Sequence, residues 1–195
     1  MKIYWVELIK NFRLKFGYNR RLNGDLLRLE YSTVQFTKAN EFSEFAQLLL
    51  QAGCPAESLK VIERGFKLGA LGTGAEAEKH NHLRLLVQKK LAEMDITLED
   101  RSLVAEKNKD GAALSNLGYG YVTAGKYEEG IKKILDVLKI EGIKFEDDAK
   151  LHLGLAYLAA GQKSNAIRTF KTVKGKDGTA DLARYWVLVS NSIVK

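Results

Sequence analysis

Apolar residues recur along this chain at helical spacing, in stretches divided by single glycines. Tyr4, Trp5, Leu8, Ile9 and Phe12 share one face before Gly17, and Leu22, Leu26 and Leu29 follow it. Phe42, Phe45, Ala46, Leu49 and Leu50 precede Gly53, and Leu59, Ile62 and Phe66 succeed it, with Pro55 where a new helix begins and a missing N–H is harmless. A less regular stretch carries Leu83, Leu86, Val87, Leu91, Leu98, Leu103 and Val104 around Lys89. Next come two segments written alike, LSNLGYGYVTAGKYEEGIKKI and LHLGLAYLAAGQKSNAIRTF. A final helix is predicted on Leu182, Ala183, Tyr185, Trp186 and Val189, after a Lys176-Asp177-Gly178 that echoes Lys109-Asp110-Gly111 and offers Asp as an N-cap.

The two similar segments superpose with an offset of 36 residues, Leu117-Gly118-x-x-Tyr121-x-x-x-Gly125 on Leu153-Gly154-x-x-Tyr157-x-x-x-Gly161. Stepping back by that period from Gly125 meets Lys89, Gly53 and Gly17. The period predicts an all-α solenoid of antiparallel helix pairs, about ten helices in one domain over 1–195, because units of this length bury their apolar faces only by stacking. The units fall at 3–38, 39–74, 75–110 (degenerate), 111–146 and 147–175, with a capping helix over 176–195. Gly118 and Gly154 lie mid-helix, where Gly costs about 0.5–1 kcal/mol against Ala; their recurrence predicts close helix contacts. The chain opens inside an apolar helix without a capping residue, as the C-terminal part of a longer solenoid would.

Leu-Gly-x-x-Tyr, then Gly, then a small residue and Ile-x-x-Ile or Ile-x-x-Phe, resembles the tetratricopeptide (TPR) repeat, although Gly130 stands where that family has Ala and Gly142 where it favours Pro. The resemblance implies a right-handed superhelix with a concave groove lined by the first helix of each pair. Its groove positions here are Ala112, Ser115, Tyr119 and Val122, then Asp148, Leu151, Leu155 and Leu158, with Asn116 and His152 at the edge. A protein or peptide partner in that groove is the implied function, with Tyr119 as its anchor; the competing expectation is that neighbouring helices cover these side chains. The carboxylate clamp of some TPR proteins is not expected, since Asp148 has the wrong sign. The runs LRLEY, AQLLLQAG, ALGTGAEAEKH, DGAALSNLGYGYV, DAKLHLGLAYLAAGQ and DGTADLARYWVL also resemble the C-terminal half of proteobacterial TPR-repeat proteins. Those commonly begin with an export signal, which implies a bacterial periplasm or envelope location if this chain is part of such a parent, and the cytoplasm otherwise.

Charge changes the picture locally. The net +7 divides into +5 over residues 1–38, −2 over 39–110 and +4 over 111–195. Arg13, Lys15, Arg20 and Arg21 could meet an anionic partner, but a solvated helix end explains them as well. The stretch GKYEEGIKKILDVLKIEGIKFED also resembles pentatricopeptide units and so raises RNA binding as an alternative. The groove positions contain no Lys or Arg, however, and phosphate neutralisation dominates nucleic-acid affinity. Self-association through an apolar groove is the third reading.

Candidate chemistry is sparse. Cys54 is the single cysteine, read as a small turn residue. His80 and His82 are two apart, on different helix faces, and read as surface histidines without metal-ligand spacing. Gly72-x-Gly74-x-x-Ala77 mimics a dinucleotide fingerprint but follows a helix instead of a strand. No catalytic constellation can be placed from the sequence, so neither an enzyme nor a cofactor is expected. No run of 18 apolar residues exists to cross a membrane.

Overall fold

The computed structural model describes residues 2–192, excepting the side chains of residues 2, 3 and 95–100. Among the described residues there are eleven α-helices: α1 (Lys2–Arg13), α2 (Asn23–Thr33), α3 (Ala39–Gln51), α4 (Pro55–Lys67), α5 (Ala77–Ala92), α6 (Met94–Lys107), α7 (Gly111–Thr123), α8 (Tyr127–Val137), α9 (Glu146–Ala159), α10 (Lys163–Phe170) and α11 (Thr179–Ser192). The fold is all-α, with helices packed on their neighbours in a repeat-like solenoid.

The predicted turns sit where the glycines put them. Gly17, Gly53, Gly125 and Gly161 all adopt left-handed φ, between 74° and 89°, a conformation that costs a residue with a Cβ energy. Pro55 opens α4. Asp110 caps α7 by accepting from the Ala113 N–H at 3.0 Å, and Glu41 accepts from the N–H groups of Thr37 and Lys38 at the start of α3, both at 2.8 Å. The degenerate unit differs. With no glycine at position 89, α5 runs through it to Ala92, and only Glu93 separates it from α6.

Close approach accounts for the helical glycines. A Cβ on Gly118 would lie 2.7 Å from Ile134, and one on Gly130 would lie 2.6 Å from the Gly118 carbonyl oxygen. The glycine in the usual alanine place thus lets α7 and α8 touch backbone to backbone. At Gly154 the ring of Phe170 fills the Cβ position.

The solenoid does not stay open. α7 packs on α9, α9 on α11, α11 on α2, and α4 on α7, so the first helix pair returns to the last helix. Second helices α2 and α4 therefore face first helices α7 and α9, and the change of role falls at the degenerate unit. Trp5 and Phe12 of α1 meet Tyr185 of α11 edge-on, with ring centroids 6.4 and 5.7 Å apart. A main-chain bond from the Asn19 N–H to the Asp177 carbonyl at 3.0 Å holds this seam. A comparable bond runs from the Lys144 N–H to the Lys109 carbonyl at 2.9 Å within the solenoid, so both Lys-Asp-Gly segments receive a remote turn, the first through its Lys carbonyl and the second through its Asp carbonyl.

Candidate functional site: a sealed centre and an open cleft

The stripe expected to line an open groove is turned into the molecule, with Tyr119 and His152 against α2, Asp148 against Arg21 of the turn before α2, and Val122 against Gly130 of α8. Ser115, Tyr119, Val122, Asp148, Leu151, His152 and Leu155 are buried, and Ala112, Asn116 and Leu158 are half-buried. Leu151 and Leu155 share one core with Leu22, Leu26 and Leu29 of the N-terminal pair. The open groove is therefore corrected to an intramolecular contact: the chain's own second helices occupy the place reserved for a peptide.

What meets at this contact is polar. The imidazole of His152 lies 2.7 Å from the Ser115 hydroxyl through Nδ1 and 3.0 Å from Asp25 Oδ1 through Nε2. Asp25 also accepts from Arg28 at 2.7 Å, and Arg28 donates through Nε to Glu57 at 3.0 Å and through Nη2 to the sulfur of Cys54 at 3.4 Å. The guanidinium lies 4.8 Å over the Tyr119 ring, and that ring stacks on His152 at 6.3 Å. Four helices thus contribute charged or polar groups to one largely buried cluster. Asp25, Arg28, Ser115 and His152 all find partners there, as burial of such groups requires, whereas Asn116 Oδ1 beside them is buried without one.

The local electrostatics follow from the packing. Burial works to raise Asp25, yet His152 and Arg28 outweigh it and hold the carboxyl at about 2. Burial pushes the Cys54 thiol up to about 12 despite Arg28, leaving it protonated and unreactive. Burial and Glu57 raise the Tyr119 phenol. At the rim, burial lifts Asp148 above the ordinary aspartate range although Arg21 forks it at 2.9 and 2.7 Å. Arg21 also reaches Asp177 at 2.6 Å and lies 4.6 Å over the Phe145 ring. Neither a solvated helix end nor an outward anion site describes Arg21: it is the polar bolt of the seam.

Serine, imidazole and carboxylate in hydrogen-bonded series have the composition of a nucleophile relay. Ser115 is 0% exposed and His152 1%, so a substrate carbonyl has no approach to the hydroxyl in this conformation. The hydroxyl also faces the Ala112 carbonyl at 3.2 Å, a helical back-bond. The series works here as a structural link between α2, α7 and α9.

An accessible concavity lies elsewhere, at the degenerate repeat. α5 packs on α3 and α4, and α6 on α7; between them opens a cleft of about 430 Å³. Leu50, Leu83, Leu86 and Met94 form its apolar lining, and Gln47 and Gln51 of α3, Lys90 and Arg101 its polar lining. Arg101 donates to the Gln51 carbonyl at 2.6 Å, and Lys90 pairs with Glu93 at 3.3 Å. Leu85, Leu103 and Val104, each 63–65% exposed, extend the apolar surface of the two helices.

No family model, curated protein or solved structure matches this chain.

Of the other sequence expectations, Cys54 is the buried turn residue before α4. His82 is exposed, but His80 is buried at 8% exposure, where its Nδ1 accepts from the Gly72 N–H at 3.2 Å. That histidine ties down the loop that carries the false dinucleotide fingerprint. The sequence reading missed Asp25, Arg28 and Glu57. Their one local signal was Asp25 and Arg28 at i, i+3 among Leu22, Leu26 and Leu29, a charged pair set into an apolar stripe.

Proposed function

We propose that the protein is a non-enzymatic helical-repeat module of tetratricopeptide type that binds a peptide segment of a protein partner. The observation that carries this reading is the cleft between α3, α5 and α6. It combines an apolar wall with a row of glutamine side chains spaced i, i+4 along α3. Leu50, Leu83 and Leu86 suit apolar anchors, while the amides of Gln47 and Gln51 can donate to and accept from a peptide main chain. The binding surface moves from the first-helix stripe to the degenerate unit because that stripe is already covered by α2 and α4. With Lys89 where the period predicts a turn glycine, α5 continues to Ala92, and the space that it borders with α3 and α6 is what a partner would fill.

Selection of peptides from a display library, followed by calorimetric titration of the selected sequences against the parent and Leu86→Asp, tests the proposal. Leu86 is 41% exposed, so the substitution is expected to leave melting within about 1 °C, as surface changes do, while weakening the peptide at least about tenfold. Peptides that bind both proteins equally would move the partner surface away from the cleft. The exposed Leu103 and Val104 also favour a second copy as occupant. Sedimentation at two concentrations separates that outcome, because only self-association raises the mass without peptide.

A further inference from the structure

The turn between α1 and α2 alternates in a way that the core does not require. Phe12 and Tyr18 point inward, with ring centroids 5.0 Å apart. Between them Leu14 is 76% exposed and Phe16 is fully exposed. Two large apolar side chains therefore project from one convex tip, where water contact is unfavourable to both. Cations surround the tip. Lys10 and Arg13 end α1, and Arg13, Lys15 and Arg20 line, with Tyr18 and Asn23, a polar recess of about 290 Å³ beneath it. Two of these cations are internally compensated, Arg13 by Glu30 and Lys15 by Asp181, and Glu44 also borders the recess. The side chains of Lys10 and Arg20 are exposed and have no hydrogen bond or ion pair among the described residues.

We propose that this tip docks on an anionic phospholipid surface, with Leu14 and Phe16 entering the boundary between headgroups and acyl chains and Arg20 and Lys10 meeting lipid phosphates. Shape favours a bilayer over other partners. A folded protein would need a matching pit for a convex wedge, whereas lipid flows around one. Nucleic acid could stack on Phe16 but gains nothing from Leu14, which has no π-face. Interfacial insertion of an apolar pair backed by basic side chains gives weak, reversible attachment that weakens as salt rises. Attachment of this kind needs no spanning helix, and no described helix is long and apolar enough to span.

The test is co-sedimentation of the full chain with phosphatidylcholine vesicles and with vesicles containing about one third phosphatidylserine. The parent is expected to partition onto the anionic vesicles and to leave them at high salt. Leu14→Ser/Phe16→Ser is expected to lower that partition about tenfold or more, the loss of two inserted side chains, and Lys10→Glu/Arg20→Glu to do likewise. Thermal melting of both variants should match the parent, since all four side chains face solvent. Equal partition onto neutral and anionic vesicles, undiminished binding of Leu14→Ser/Phe16→Ser, or absence of binding to either vesicle overturns the proposal. Pelleting without vesicles also overturns it and makes the tip a contact between copies of the chain.

Discussion

At the residue scale, neutralising Asp25 leaves Arg28, at 2.7 Å, and the His152 imidazole, at 3.0 Å, without the carboxylate that joins them. Against the ordinary aspartate value near 4, a folded value of about 2 corresponds to roughly 2 kcal/mol of stability at neutral pH. The sign follows from the depressed value. The contribution is complete above about pH 4, where the unfolded chain is also ionised, and is lost as pH falls towards 2. Asp148 acts in the opposite sense, because its raised value makes the folded state hold a proton that the unfolded chain releases. Melting curves of the parent and Asp25→Asn should therefore differ most at neutral pH and converge below pH 4; a constant gap down to acid would show that the carboxylate charge is not what stabilises the cluster. Tyr119 and Leu155 are core residues at 7% and 3% exposure. Their double replacement by Ala is expected to cost several kcal/mol, roughly 3 or more, and a near-parental melting temperature would contradict this packing.

At the element scale, the α9–α10 pair depends on what Gly154 lacks. Gly154→Leu forces the Phe170 ring out of its place and should cost about 1–3 kcal/mol by overpacking; melting within a degree of the parent would contradict the contact. The elements were legible in the sequence wherever a local rule fixed them. Gly17, Gly53, Gly125 and Gly161 announced left-handed turns, Pro55 announced the first turn of α4, and the Leu-Gly-x-x-Tyr spacing announced which face of α7 and α9 meets the next helix. Legibility ended where the partner was remote. Lys89 gave no sign that α5 would continue to Ala92, because a continuous helix has no boundary residue to display. The apolar surplus on α9 was visible, but its cover was not: Asp25 and His152 are 127 residues apart, a pairing that no helical period encodes.

For the whole molecule, the seam joins the first helix pair to α9 and α11 through Arg21, Asp148, Asp177 and the Asn19–Asp177 main-chain bond. Removing one partner of a fully buried ion pair costs about 3–5 kcal/mol. Arg21 keeps a side-chain exposure of 21%, so about 2 kcal/mol is a fair expectation for Arg21→Ala, discounted for solvent screening. Hydrogen exchange should then accelerate in α2 and α11 together while α3–α4 and α7–α8 keep their protection. Faster exchange spread evenly over all helices would mean that Arg21 stabilises the fold generally and not the closure.

The closure has a consequence for how the molecule comes apart. A linear array of repeats frays from its free ends, and its stability is close to a sum over units and nearest-neighbour interfaces. Joining the first helix pair to α11 adds one interface without adding a unit, and neither can peel away from the described helices until that interface or another has broken. Denaturation should therefore be a single sharp, cooperative step with equal calorimetric and van't Hoff enthalpies. In Arg21→Ala the same chain should regain ends, and its transition should broaden towards the sequential melting of an open array.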